Sequence, residues 1–232
     1  MMVSNYLIYN VSMFKRPANN RNWEKDQAVL AHAMISGSKI SLFNIRNFKY
    51  HSEFNYEAGY YDQIFEVGKL VDVYLGMVAF SKNPLLAHIL TTFEFNNGQS
   101  VVFSIEVRKR RGQEFIAWRT ALNNYELMYV VAAKSDVIDL RNKHRKNETV
   151  KEYRLNLNNG QKRRLFLDFC IRLNQLKDRP EFFNLFYNSC SSNAINHLNK
   201  VLDRKVPWIY KYLAPGYLDR VLIKRKLISQ YF

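Results

Sequence analysis

Along the first two thirds of the chain, apolar and polar residues alternate in short runs; after that they recur at three- and four-residue steps. The alternating runs predict strands over 39–48, following a Ser36-Gly37 turn, and over 70–80. Residues 87–95 and 100–107 flank Asn96-Asn97-Gly98 and predict a β-hairpin. Two further strands are expected over 125–133 and 150–157. From 159 to 176 the period changes, and Leu165, Phe166, Phe169, Leu173 and Leu176 fall on one helical stripe. Arg179-Pro180 breaks that helix, and 181–186 makes a short connection. Ile195, Leu198 and Leu202 mark a second helix, which Asn188 or Ser189 can cap. A terminal helix is expected over 216–228. Strands first and helices later predict an α+β fold, an antiparallel sheet with helices packed on it. With no repeat or linker, the pattern predicts an N-terminal extension over 1–15 and a single domain over 16–232.

The hairpin register decides which side chains share a face. A two-residue Asn97-Gly98 turn sets His88 opposite Val107 and puts Glu106 on the other side. A three-residue loop pairs Phe95 with Gln99 and sets His88 opposite Glu106, with Gly98 taking the left-handed position. The longer loop aligns Ile89, Thr91, Phe93, Phe95, Val101, Phe103, Ile105 and Val107 on one apolar face. His88, Thr92, Glu94, Ser100, Ser104 and Glu106 then share the more polar one. The shorter turn would oppose apolar with polar residues, so the longer loop is expected.

Composition places the 232 residues among globular proteins: 47% are hydrophobic, 15% aromatic, and only five are proline. No apolar run reaches about 18 residues, so no membrane-spanning helix is expected. The opening residues are too short and too polar for a signal peptide. The net charge of +15 would attract anionic lipid headgroups, nucleic acid or acidic partners. No nucleic-acid signature, zinc spacing or phosphate loop accompanies it, so no specific nucleic acid, metal or cofactor is expected. Two cysteines exclude a disulfide scaffold. Cys170 lies on an apolar helical stretch and is expected in the core, though a Cys170–Cys190 disulfide stays open.

Cys190 differs, because it stands in Tyr187-Asn188-Ser189-Cys190-Ser191-Ser192-Asn193, where a loop opens into a helix. A helix start favours thiolate, the nucleophilic form of cysteine. Such a nucleophile needs a base and a group that orients the base. The His88–Glu106 cross-strand pair supplies both types. Arg46 and Arg108 are candidate phosphate contacts by guanidinium geometry, with a structural ion pair as the alternative.

Several ordered blocks resemble the N-terminal periplasmic domain family of bacterial lipoprotein N-acyltransferases (Lnb-type). They are Trp23 to Leu30, Asn44 to Tyr50, Ala87-His88, Ser104 to Lys109, Tyr125 to Val131, Arg179 to Asn184, Tyr187 to Asn193 and Leu213 to Leu218. The likeness runs from about residue 16 to 228. It implies a circularly permuted papain-like (NlpC-type) architecture in which the histidine strand precedes the cysteine helix. It also implies Cys190 as nucleophile, His88 as base and Glu106 as orienting group, with Tyr187 beside the substrate. The implied activity is transfer of a fatty acyl group from phospholipid to a lipoprotein N-terminus through a cysteine thioester. That activity implies a location on the periplasmic face of the inner membrane, against an anionic surface. Ser191-Ser192 stands where the family pattern implies threonines. The competing expectations are a papain-like amidase or peptidase, a lipid hydrolase, and an inactive basic module binding membrane or nucleic acid.

Overall fold

The computed structural model describes residues 16–80 and 83–230, so the expected extension over 1–15 lies outside it. In chain order the strands are β1 (His32–Ser36), β2 (Lys39–Arg46), β3 (Lys49–Tyr50), β4 (Tyr56–Glu57), β5 (Tyr60–Glu66), β6 (Leu70–Phe80), β7 (Asn83–Phe95) and β8 (Ser100–Arg108). Then follow β9 (Tyr125–Ala132), β10 (Val150–Leu155), β11 (Phe182–Phe183) and β12 (Ile228–Gln230). The helices are α1 (Lys134–Asp139), α2 (Asn159–Asp178), α3 (Cys190–Val201), α4 (Trp208–Tyr212) and α5 (Leu218–Lys224). A sheet ordered β1-β2-β9-β8-β7-β6-β10-β12 carries β5 on β2 and β11 on β9. Its ladders are antiparallel except where β2 meets β9. The fold is therefore α+β.

One face of the sheet holds the larger core. Phe93 and Phe103, neighbours on the hairpin's odd-numbered face, pack against Phe166 and Phe169 of α2 with ring centroids 5.0–6.3 Å apart. Ile195 and Leu198 bring α3 onto the same face. Cys170 is buried in this core with a free thiol, which rules out a bond to Cys190 here.

The other face, expected to be the more polar one, keeps those polar side chains but also carries a core. Val78, Leu90, Val102, Met128, Val130 and Val150 form a second core under Val137 and Ile138 of α1. A π-helical turn over Leu140–His144 continues this cover. The six residues of α1 are too few to show a helical period, so the pattern gave no warning of a second layer. Its clearest anchor is Asp136, whose carboxylate takes both Nε and Nη2 of Arg46 at 2.7–3.1 Å and the Phe48 amide at 2.7 Å.

Two other expectations change. The terminal helix is shorter, because Lys226 adopts the left-handed conformation at φ 57° and stops it; the next residues join β10 as an edge strand. β1 and β5 went unpredicted, since only Ala33 and Phe65 respectively are buried in them. Gly76 leaves room for the Leu90 side chain, whose Cδ1 lies where a Cβ on residue 76 would collide with it.

Candidate active site

The hairpin adopts the longer loop. The Phe95 amide bonds the Gln99 carbonyl at 2.9 Å, and Gly98 has φ 81°. The register then runs Glu94 opposite Ser100 to Leu90 opposite Ser104, where pairing of β7 with β8 stops. Both strands continue: β7 stays paired with β6 back to Asn83, and β8 with β9 on to Arg108. Since Phe95 turns its backbone toward β8, so do the other odd residues of β7. Ile89 and Ala87 thus direct an N–H and a C=O into the parting between the strands.

Cys190 enters that parting. α3 packs on both β7 and β8, and the Cys190 Sγ donates to the Ala87 carbonyl at 3.8 Å. The Ile89 amide approaches the same sulfur. The thiol has therefore taken the place of ladder hydrogen bonds on the two sides of His88. Its own helix start is held by a capping box, in which Ser189 Oγ accepts from the Ser192 amide and Ser192 Oγ accepts from the Ser189 amide. The preceding turn is pinned by Asn188, which donates to Glu181 and to the Phe182 carbonyl at 2.9 Å. The Cys190 and Ser191 amides, first-turn donors without an intrahelical acceptor, face the sulfur.

His88, Ser104, Glu106 and Arg141 form a chain in the second layer. His88 Nε2 lies 2.8 Å from Ser104 Oγ, and Ser104 Oγ donates to Glu106 Oε1 at 2.8 Å. Arg141 Nη2 donates to the same carboxylate oxygen at 2.9 Å. Direct contact between His88 and Glu106 is longer, at 3.9 Å. The Ser104 hydroxyl has one proton and spends it on Glu106, so His88 Nε2 carries the proton it donates to Ser104. Nδ1 is then left as the lone-pair nitrogen. Glu106 orients the imidazole through a hydroxyl; sequence reasoning missed Arg141 and also the relay residue Ser104. It was placed on the right face, but a lone serine between two charged groups carries no signal of a relay.

The electrostatics give a neutral resting pair. Burial pushes the His88 imidazole down to about 3, and the Arg141 charge adds to this against the pull of Glu106. Burial raises Glu106 too, but Arg141 and His88 outweigh it and hold the carboxylate well below its usual range. Burial also raises the Cys190 thiol, opposed by the Ile89, Ser191 and Cys190 amides and reinforced by Glu106. At neutral pH the site thus holds a thiol, a neutral imidazole and a carboxylate. Iodoacetamide should accordingly modify Cys190 ever faster as pH rises through the ordinary thiol value of about 8.5. Peptide mapping should find Cys170 unmodified. A fast rate already flat between about pH 5 and 7 would mean a thiolate–imidazolium pair and contradict this assignment.

The two arginines singled out from sequence lie elsewhere. Arg46 is buried against Asp136, which keeps its guanidinium charged despite burial. Arg108 is 1% exposed and donates to the carbonyls of Gln27 and Ala28 and to Asn19 Oδ1, stacked 4.1 Å above Trp23. Both forks hold the chain's N-terminal segments or second layer in place, with Nε, Nη1 and Nη2 of each already donating to protein oxygens. Tyr187 is exposed three residues before the thiol and donates to Asn123 Oδ1 at 2.8 Å. His197 is walled in, between Tyr129 at 2.9 Å and Asp168 at 2.6 Å, and stacks on Phe169.

Residues 56–216 match the family model described as the Lnb N-terminal periplasmic domain. That span contains His88, Ser104, Glu106, Arg141 and Cys190, and begins beyond the two N-terminal blocks of resemblance. No curated protein and no solved structure matches the chain. Among the described residues, no helix is long and apolar enough to cross a membrane.

Proposed function

The chain belongs to the Lnb N-terminal periplasmic domain family, and on that footing we propose that it is a thiol acyltransferase, with Cys190 as nucleophile and His88 as base. The observation that carries this reading is the free thiol lodged where β7 and β8 part, beside the backbone of a histidine whose tautomer is fixed. The family's description supports a periplasmic setting, and the histidine-before-cysteine order suits a permuted papain-like architecture.

In the proposed reaction, His88 Nδ1 takes the Cys190 proton as the sulfur attacks an ester carbonyl and a C–S bond forms. The resting thiol points at Ala87, so substrate must redirect it toward the ring; such contacts commonly tighten only in the complex. The Cys190 and Ser191 amides are suited to the oxyanion, where one donor contributes about 3–4 kcal/mol in studied enzymes. The C–O bond then breaks, and the imidazolium returns its proton to the leaving lysolipid oxygen. An amine attacks the thioester, loses its proton to His88, and releases the sulfur as the new amide forms. The sulfur regains a proton from His88.

Exposed apolar residues in the loop that leads into Cys190, and in the segment bonded to that loop, favour a lipid donor over a polar peptide. Phe186 is 60% exposed in the loop before Cys190. That loop bonds the 3-10 segment Ala117–Leu122 through Leu185 and Thr120, and Trp118 and Leu122 of the segment are exposed. The proposed donor is a phospholipid and the acceptor a lipoprotein N-terminus at the periplasmic membrane surface. Incubation with mixed-acyl phospholipid vesicles, followed by intact mass, should add one acyl mass to the wild type and none to Cys190→Ser. Absence of the adduct with anionic and zwitterionic lipids alike would overturn the reading.

A further inference from the structure

Away from the thiol, the C-terminal segments enclose a cavity of about 520 Å³. Arg204, Pro207, Tyr210, Arg220, Val221, Lys224, Arg225 and Leu227 line it, and none of these belongs to the cluster around Cys190. Four of the eight are cations, no carboxylate is among them, and they come from two stretches of chain: the turn after α3, and α5 with its C-terminal cap. Among the described residues none of the four forms an ion pair. Arg225 Nη1 donates to the Lys205 carbonyl at 2.7 Å, and Arg220 lies 4.3 Å over the Tyr217 ring.

Folding gathers these charges at a cost. Arg220 and Lys224 stand four residues apart on α5, a like-charge spacing that destabilises a helix. The helix dipole favours Lys224 and Arg225 near its C-terminal end, but it explains neither Arg220 nor Arg204. Between the charges the lining is apolar: Tyr210, Val221 and Leu227 are half-buried and pack against the larger core. A cationic rim over an apolar floor matches a ligand with an anionic head and an apolar body.

We propose that this cavity is a binding site for a phosphate-bearing amphiphile, its phosphate held by Arg204, Arg220, Lys224 and Arg225 and its apolar part laid over Tyr210, Val221 and Leu227. Phosphate could come from a lipid headgroup or from a soluble phosphate; the apolar floor favours the former. The site does not depend on Cys190 chemistry.

Binding tests it directly. Dihexanoyl phosphatidylglycerol, kept below its micellar concentration, would be titrated into the full chain by calorimetry, with inorganic phosphate and a neutral dihexanoyl glycerol as separate arms. The lipid should bind at least about tenfold tighter than either, and an Arg204→Ala/Arg220→Ala variant should lose at least about tenfold. Cys190→Ser should bind like the wild type, which separates this result from the fate of the thiol reading. Inorganic phosphate or the neutral glycerol matching the lipid would overturn the proposal. So would affinity unchanged in the double variant while its melting curve matches the wild type.

Discussion

Replacing His88 by alanine is expected to slow acylation of Cys190 by phospholipid about 10²–10⁴-fold, the range that a positioned base contributes. The loss should be largest near neutral pH, because burial keeps the thiol protonated there and the sulfur has no other route to the nucleophilic form. Raising the pH toward and above the thiol's own value supplies thiolate without a base, so the gap between variant and wild type should narrow. The rate would be read as adduct mass against time at several pH values, with circular dichroism confirming an unchanged fold. A His88→Ala rate within about threefold of wild type at pH 7 would remove the imidazole from the mechanism.

Asp136→Ala is expected to destabilise the fold by about 3–5 kcal/mol, the usual consequence of leaving one member of a buried ion pair alone. Asp136 is fully buried and satisfies both Arg46 and the Phe48 amide, so alanine strands a guanidinium and a backbone donor together. For a chain of this size the melting temperature should fall by roughly 6–20 °C, taking about 2–4 °C per kcal/mol. The same helix leads into the turn that carries Arg141, so Glu106 should lose part of its anchorage as α1 loosens. A fall of under about 2 °C would mean that the second layer is held by its apolar contacts and that the pair is incidental.

What the sequence made legible follows from where each signal resides. The hairpin register could be read because its two candidate turns give opposite parities, and seven apolar side chains decide between parities. The start of α3 was legible because a capping serine acts within three residues of itself. Arg46 and Arg108 were harder, since their partners are distant: Asp136 lies 90 residues from Arg46, and Gln27 lies 81 from Arg108. A guanidinium looks the same in sequence whether it waits for phosphate or closes on a carbonyl. The buried part of the hairpin's even-numbered face was hidden for a related reason. Leu90 and Val102 stand among polar neighbours in sequence, and the layer that covers them is completed by Val137 and Ile138, over 30 residues further along.

Where β7 and β8 separate, the protein forgoes a few hydrogen bonds that a continuous sheet would have made, and a sulfur occupies the opening. A variant that zipped those strands to their ends would gain rigidity and expel the nucleophile in the same movement. Selection for a tougher scaffold and selection for turnover therefore pull this one seam in opposite directions, and hardening it is the wrong place to begin engineering the domain.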